Sequence, residues 1–131
     1  GRQLLTYVND IMRKGEALPL VNPTTLIPDA LAEMSAKGMG MTIVIDANQR
    51  PVGIFTDGDL RRLITRHGDM RYLTVDQGMT PNPKTLPATE LAIKAANTMD
   101  QLRLNQVLIT DTNGLLLGAL HMHDLLDAKV I

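Results

Sequence analysis

The side chains best suited to chemistry in this sequence lie in two short motifs, residues 53–60 and residues 118–125. The first motif reads Gly-Ile-Phe-Thr-Asp-Gly-Asp-Leu, and the second, 65 residues later, reads Gly-Ala-Leu-His-Met-His-Asp-Leu. In both, a polar side chain follows a short apolar run, and an aspartate follows three positions later. A carboxylate accepts hydrogen bonds from hydroxyl groups, and the first turn of a helix attracts an anion. The motifs therefore indicate two related binding sites at strand-to-helix junctions.

The first motif also has a purely structural interpretation. Thr56 and Asp59 have the spacing of a capping box, in which the hydroxyl accepts from an early helix N–H and the acid lies favourably in the first turn. In the second motif His121 replaces the threonine, whereas Asp124 is retained. We therefore expect the second motif to lack the cap and its aspartate to serve a ligand. Because Asp57 is two residues from Asp59 at a helix start, we expect these side chains to point in different directions.

The 65-residue offset extends beyond the motifs. It carries Ala30 onto Ala95 and so defines a tandem repeat. The hydrophobic pattern predicts the order β-α-β-β-α in each copy. A half of about 65 residues buries too little surface to be stable alone, so we expect the two copies to share a core. The predicted segments are an N-terminal lead-in helix over 1–14, a first repeat over 8–66, a linker over 67–74 and a second repeat over 75–131.

Local signals predict the individual elements. Residues 41–45 and 106–110 are predicted to be buried strands, because both are rich in β-branched and apolar residues. Thr25 and Thr89 are predicted to cap the helices that precede these strands, and Gly38 is predicted to end the first of them. A further helix is predicted to begin at each motif.

Composition restricts the class of partner. The 131-residue chain has a formal net charge of −1 and contains no cysteine. A chain near neutrality is not steered to nucleic acid, and without cysteine there is no disulfide and no zinc–thiolate site. No apolar run approaches the roughly 20 residues needed to cross a bilayer. We therefore expect no nucleic-acid partner, no membrane partner and a cytoplasmic location. Because the chain begins at Gly1, we expect it to be a piece of a longer protein.

The two motifs, each at the last strand-to-helix junction of its repeat, resemble those of a tandem CBS-domain module, also called a Bateman module. More narrowly, residues 53–62 and 120–126 are similar to the C-terminal half of bacterial D-arabinose-5-phosphate isomerases. The resemblance implies an α/β (α+β) fold with two β-α-β-β-α CBS repeats, packed with pseudo-two-fold symmetry around a ligand cleft. In that family a sugar-isomerase (SIS) domain, whose residues are not in this chain, precedes the CBS pair.

The resemblance also implies roles for individual residues. The aspartate would accept hydrogen bonds from ribose hydroxyls, and the threonine and helix N–H groups would face phosphate. Arg61 and Arg62 either form a fork for a phosphate or carboxylate or belong to a solvated helix face. Thr42 would contact a nucleobase, with ordinary strand preference as its alternative, and we hypothesise that His121 and His123 help to bind an acidic ligand. The predicted ligand-binding residues are Thr42, Thr56, Asp57, Asp59, Arg61, Arg62, His121, His123 and Asp124.

We expect no enzyme activity from the chain itself, since it contains no nucleophile motif and no glycine-rich phosphate loop. Neither a required cofactor nor a metal is expected, because no further His or Cys cluster completes a shell around His121 and His123. The resemblance implies a regulatory module of an isomerase that interconverts ribulose 5-phosphate and arabinose 5-phosphate for Kdo and lipopolysaccharide synthesis. CMP-Kdo is the candidate ligand, with AMP or ATP as the generic alternative. The implied partners are the SIS domain and a second copy of the chain; a purely structural dimerisation module is the alternative function.

Overall fold

The computed structural model describes residues 5–131, which divide into two compact units. The first unit is Glu16–Pro83, and the second unit combines the described residues up to Gly15 with Lys84–Ile131. The elements in chain order are α1 (Val8–Ile11), β1 (Leu20–Val21), α2 (Ile27–Lys37), β2 (Met41–Ile45), β3 (Pro51–Thr56), α3 (Asp57–His67), β4 (Thr80–Pro81), β5 (Thr85–Pro87), α4 (Ala92–Leu102), β6 (Gln106–Thr110), β7 (Leu116–His121) and α5 (Met122–Asp127), with 3-10 turns at Gly15–Ala17 and Val75–Gln77.

A four-stranded sheet in the order β1-β2-β3-β4 forms the frame of the first unit. β1 runs parallel to β2, and the remaining neighbours are antiparallel. The helices and one face of the sheet enclose an apolar core in which Phe55 is the largest fully buried side chain. The other buried members of this core are Val21, Ile27, Ala30, Met34, Val44, Leu63 and Val75.

The second unit repeats this plan around the sheet β5-β6-β7, in which β5 is parallel and β7 antiparallel to β6. Arg13 pairs with Ala119 of β7, as Thr80 of β4 pairs with Ile54 of β3. Because Ile54 and Ala119 are equivalent under the 65-residue offset, Arg13 is the structural counterpart of Thr80. The buried core consists of Val8, Leu86, Ala92, Ala95, Ala96, Met99, Val107, Ile109, Leu120, Leu125 and Val130.

The two units do not coincide with the two repeats in the sequence. Helix α1 belongs to the predicted first repeat but contributes Val8 to the core of the second unit. The 3-10 turn Val75–Gln77 belongs to the predicted second repeat but contributes Val75 to the core of the first unit. Both valines are fully buried. Each unit is therefore completed by the opening element of the other repeat.

The strands and helix end predicted from local signals are confirmed. Residues 41–45 and 106–110 form β2 and β6, and a further helix begins directly after each motif threonine or histidine. Gly38 ends α2 in the left-handed conformation with φ 65°. Among the described helices, none has the length and apolar character needed to cross a membrane.

The lead-in helix predicted over 1–14 is wrong in extent. Residues 1–4 of that prediction lie outside the described residues, and α1 covers only Val8–Ile11. Met12 is already extended, with φ −69° and ψ 153°, and Arg13 exchanges backbone hydrogen bonds with Ala119 at 2.9 and 3.1 Å. Pairing with β7 therefore overrides the helical spacing of the apolar residues.

The helix N-caps predicted at Thr25 and Thr89 are also wrong. The residues that precede α2 and α4 are Leu26 and Leu91, and neither helix has a side-chain cap there. The hydroxyl of Thr25 accepts instead from the N–H of Asn22 at 3.1 Å. It therefore stabilises the turn before α2 and is not available to the first turn of the helix.

The glycine that opens each motif is required by a close neighbour within its own unit. A Cβ on Gly53 would lie 2.5 Å from the sulfur of Met79, and a Cβ on Gly118 would lie 2.5 Å from the carbonyl oxygen of Arg13. Both distances are too short for a real side chain. The motif glycines are therefore explained by the chain segment that packs against β3 or β7 and need no ligand contact.

Candidate functional site

The carboxylate of Asp59 lies at the start of α3 and receives hydrogen bonds from four donor groups. Oδ2 accepts from the backbone N–H of Thr56 at 2.9 Å and from its hydroxyl at 3.1 Å. Oδ1 accepts from a guanidinium nitrogen of Arg62 at 2.7 Å and from the hydroxyl of Thr80 at 2.8 Å. Asp59 is only 3% exposed. A buried carboxylate with all four acceptor positions used is well stabilised, so this acid is held by the protein itself.

The first turn of α3 combines this acid with a side-chain cap. The hydroxyl of Thr56 accepts from the N–H of Asp59 at 3.3 Å, which completes the capping box predicted for the first motif. Asp57, in contrast, is exposed. The helix therefore begins with one buried and one solvated carboxylate.

Arg62 folds back along α3 and lies over Gly58. A Cβ on Gly58 would be 3.4 Å from both terminal nitrogens of the Arg62 guanidinium. The guanidinium bonds to Asp59, yet 62% of the Arg62 side chain is exposed. Arg61 is exposed as well but forms no ion pair with any described residue. The structure thus distinguishes two arginines that the sequence could not, because only Arg62 reaches the acid.

The corresponding aspartate of the second unit has a different set of partners. Asp124 accepts from the backbone N–H of His121 at 2.9 Å, as Asp59 accepts from Thr56. Its side-chain partner is Arg13, whose Nε lies 3.2 and 3.3 Å from the two carboxylate oxygens. The side chains of Arg13 and Asp124 are 26% and 14% exposed, so the pair is more enclosed than Arg62 is. The two aspartates are therefore equivalent in position and unequal in environment.

The expectation that the second motif has lost its cap is wrong. The Nδ1 atom of His121 accepts from the N–H of His123 at 3.0 Å, so the imidazole caps α5. This bond requires an unprotonated Nδ1. Burial and the nearby ring of His123 lower the pKa of His121, with a smaller contribution from Arg13, and the charge of Asp124 only partly opposes them. Retention of Asp124 is therefore also explained by a complete capping box.

The rings of the two histidines lie beside one another. Their centroids are 4.6 Å apart with an interplanar angle of 57°. His123 is exposed, whereas His121 is half-buried. Since Nδ1 of His121 is used by the helix, only its Nε2 remains for an acidic ligand. Within the described part of the chain, no three His, Cys, Asp or Glu side chains form a group that could hold a metal ion.

Thr42 lies on β2 directly opposite Phe55 and is fully buried. Its Oγ1 is the buried side-chain atom that finds no hydrogen-bond partner among the described residues. The equivalent residue of the second unit is Val107, a member of the apolar core. A hydroxyl therefore replaces a methyl group at a core position, and contact with a nucleobase through Oγ1 would require its surroundings to open.

Sequence reasoning missed Arg13 and Thr80, the side chains that reach the two aspartates from neighbouring segments. Both follow an equivalent methionine, Met12 or Met79, at the end of the short element that opens each repeat. That alignment was a usable signal, because a residue at the same place in both copies faces the same strand. Its chemistry was not predictable, since one copy has a hydroxyl and the other a guanidinium.

The surface has one depression beside these residues and another away from them. One, of about 430 Å³, is on α3 and is lined by Arg61, Arg62, Thr65 and Arg66. Another, of about 520 Å³, is in the second unit and is lined by Tyr7, Asn9, Asp10, Ala88 and Thr89, none of which was predicted to bind ligand. Of these two depressions, the one on α3 is lined by predicted site residues, Arg61 and Arg62.

The fold and the two motif junctions define the class of the protein. Residues 8–66 and 73–131 match the family described as the CBS domain, and the chain therefore belongs to the CBS-domain family with two copies of the domain. Over 131 residues it is 46% identical to arabinose 5-phosphate isomerase KdsD of Pseudomonas aeruginosa and 44% identical to KdsD of Escherichia coli K12. The chain spans 40% of the length of these relatives.

A solved structure supports the same assignment. The crystal structure of CBSX2 in complex with AMP has a TM-score of 0.81 and 26% sequence identity, covering 95% of this chain and 96% of that one. The predicted α/β fold with two CBS repeats and the resemblance to arabinose-5-phosphate isomerases are confirmed. The chain itself consists of the CBS pair.

Proposed function

We propose that this chain is the nucleotide-sensing, regulatory CBS pair of a bacterial D-arabinose-5-phosphate isomerase. Identity of 44–46% along the whole chain to KdsD enzymes supports the parent activity. The isomerase would interconvert ribulose 5-phosphate and arabinose 5-phosphate through an SIS domain on the same polypeptide, in the cytoplasm. A ligand that binds one state of that enzyme more tightly would shift its activity by a coupling free energy of about 1–3 kcal/mol.

The observation that carries the proposal is the junction between β3 and α3. It combines an acid suited to ribose hydroxyls, Asp59, with a capped helix N-terminus and with Arg61 and Arg62 beside it. The AMP complex of CBSX2, a structure 26% identical to this chain, supports a nucleotide as the ligand class. At this junction we place the ligand contacts of Thr56, Asp57, Asp59, Arg61 and Arg62.

CMP-Kdo is our candidate for the natural ligand, with AMP or ATP as the alternative. CMP-Kdo carries ribose hydroxyls, a phosphate and a carboxylate, which match an aspartate and several basic groups. It is also the activated product of the route that arabinose 5-phosphate supplies, so it would make a chemically sensible feedback signal. His121, His123 and Asp124 would offer further contacts in the second unit, and Thr42 a contact to the base.

Titration calorimetry with CMP-Kdo, CMP, AMP and ATP tests this function. We expect saturable heat with at least one of these, and Asp59→Ala is expected to weaken it by about 1.5–3 kcal/mol, the range for a hydrogen bond to a charged group. Asp29→Ala is the matched control, because it removes an exposed acid from the first turn of α2. Heat from adenosine nucleotides alone would refute feedback by CMP-Kdo, and no heat from any of the four would refute nucleotide sensing.

A structural dimerisation module is the second candidate function. Leu102 at the end of α4 and Leu126 in α5 are about half exposed, at 51% and 50%. Burial of such side chains between two copies would stabilise a dimer. Sedimentation velocity of the wild type and of Leu126→Glu tests this; a dimer that Leu126→Glu dissociates, together with no nucleotide binding, would favour it.

A further inference from the structure

The acid proposed to bind ligand hydroxyls has no acceptor position left. Asp59 accepts two hydrogen bonds on each carboxylate oxygen, from Thr56, Arg62 and Thr80. A carboxylate has about four such positions. A ligand hydroxyl can therefore reach Asp59 only if one of the present donors leaves.

Arg62 is the donor best able to leave. The backbone N–H of Thr56 is fixed at the end of β3, which pairs with β4 through Ile54 and Thr80. The Arg62 guanidinium stands at the end of a flexible stem, and 62% of its side chain is already in solvent. When it leaves Asp59 it can be hydrated at once. Thr80 is exposed and its hydroxyl can also turn away, but that hydroxyl is neutral, whereas the charge of Arg62 can pair with an anionic group of the ligand.

Arg62 lies over a residue that has no side chain. The terminal nitrogens of Arg62 would meet a Cβ on Gly58 at 3.4 Å, an ordinary contact distance, so the guanidinium rests against the first turn of α3. In the second repeat the equivalent residues are His123 and Asp127, so no arginine can fold back over α5. The arrangement in which an arginine folds back over a glycine at the helix start therefore occurs only in the first of the two repeats.

Once the Arg62 guanidinium leaves Asp59, it can bind an anionic group in the neighbouring depression. Arg62 lines the depression of about 430 Å³ on α3 together with Arg61, Thr65 and Arg66. Neither Arg61 nor Arg66 forms an ion pair with a residue that the structure describes. An anionic group in this depression would already meet two cations, and Arg62 would bring a third.

We propose that Arg62 is an exchangeable clamp that makes the site selective for ligands with both hydroxyl groups and an anionic group. The proposal rests on the nucleotide-binding function proposed above. Without ligand, Arg62 holds Asp59. When a ribose hydroxyl takes its place, Arg62 moves to the phosphate or carboxylate of the same ligand, so one ion pair replaces another. A neutral nucleoside breaks the Arg62–Asp59 pair without replacing it and binds weakly.

Calorimetry with matched pairs of nucleoside and nucleotide tests the clamp. The probes are adenosine against AMP and cytidine against CMP, on the wild type and on Arg62→Gln. We expect Arg62→Gln to weaken nucleotide binding at least tenfold and to leave nucleoside binding equal or tighter, so the nucleotide-to-nucleoside affinity ratio falls at least tenfold. Arg71→Gln is the charge-matched control, because Arg71 is exposed and contacts Asp69 and the exposed ring of Tyr72. It should leave the ratio within twofold.

Gly58→Ala provides a second variant that keeps every charge and favours the helix. Its Cβ would lie in ordinary contact with the Arg62 guanidinium, at 3.4 Å, so we expect the Arg62–Asp59 pair to persist and the nucleotide-to-nucleoside affinity ratio to stay within twofold of the wild type. An unchanged affinity ratio in Arg62→Gln, or equal loss of nucleoside and nucleotide binding, would overturn the clamp while leaving nucleotide sensing intact. Absence of any nucleotide binding by the wild type would overturn the proposed function and the clamp together.

Discussion

Removal of the Asp59 carboxylate should destabilise the protein even when no ligand is present. Asp59→Ala loses the bonds from the Thr56 backbone, from Thr80 and from Arg62. It also loses the bond from the Thr56 hydroxyl, but that hydroxyl still accepts from the N–H of residue 59, so this loss adds little. A hydrogen bond to a charged group contributes about 1.5–3 kcal/mol net, which applies to the Thr56 N–H. Thr80 and Arg62 are exposed and regain water, so their bonds add only about 1 kcal/mol together. The sum predicts a loss of about 2–4 kcal/mol in the free energy of unfolding. Asp59→Asn keeps one acceptor oxygen and should lose about half as much.

Urea unfolding of the 131-residue chain, monitored by circular dichroism, measures this difference. Asp57→Ala is the control, since it removes an exposed carboxylate from the same helix turn and should cost less than about 1 kcal/mol. If Asp59→Ala were no more destabilising than Asp57→Ala, the four hydrogen bonds to Asp59 would not exist in solution. The reasoning that a ligand must displace Arg62 would then be wrong.

Three further changes test other parts of the structure. Gly118→Ala should destabilise the protein by about 2–3 kcal/mol and Gly53→Ala by about 1 kcal/mol. A Cβ on Gly118 would lie 2.5 Å from the backbone oxygen of Arg13, whereas a Cβ on Gly53 would meet the flexible Met79 at 2.5 Å and the backbone oxygen of Thr80 only at 3.0 Å. Equal losses in thermal unfolding would contradict this. Thr42→Val should raise the free energy of unfolding by about 1 kcal/mol, because it removes an unpaired buried hydroxyl. Thr110→Val, at the half-buried end of β6, is the control and should change it little. A loss of stability in Thr42→Val would show that the Thr42 hydroxyl has a partner. His121 has a lowered pKa in the folded chain, so its contribution to stability is complete at neutral pH and is lost as the pH falls through that pKa. His121→Thr should therefore flatten the decline in the urea midpoint between pH 7 and pH 5. An unchanged decline would contradict the capping role.

The sequence was sufficient for the elements that depend on local signals. The strand at 41–45, the glycine end of α2 and the capping box of Thr56 and Asp59 follow from β-branched residues, from Gly38 and from an interval of three residues. Each of these is decided by neighbours along the chain, and the repeat gave the strand a second, independent indication at residues 106–110.

The remaining features depend on contacts between distant residues. Arg13 and Asp124 are 111 residues apart, and nothing local to either one predicts their pairing. The same strand pairing that brings Arg13 to β7 shortened the predicted lead-in helix. His121 was not expected to cap α5, because histidine is not among the preferred N-cap residues. The folded chain brings Nδ1 of His121 to the N–H of His123, so the imidazole caps the helix although its residue type does not indicate that role.

The most direct test of the central claim is an AMP titration followed by the backbone amide NMR shifts of the 14.3 kDa chain. The claim is that the junction at Asp59 is the nucleotide site. We predict saturable shifts that are largest for residues 56–62, and their loss in Asp59→Ala but not in Asp29→Ala. Saturable binding with its largest shifts elsewhere, or unchanged in Asp59→Ala, would contradict the claim.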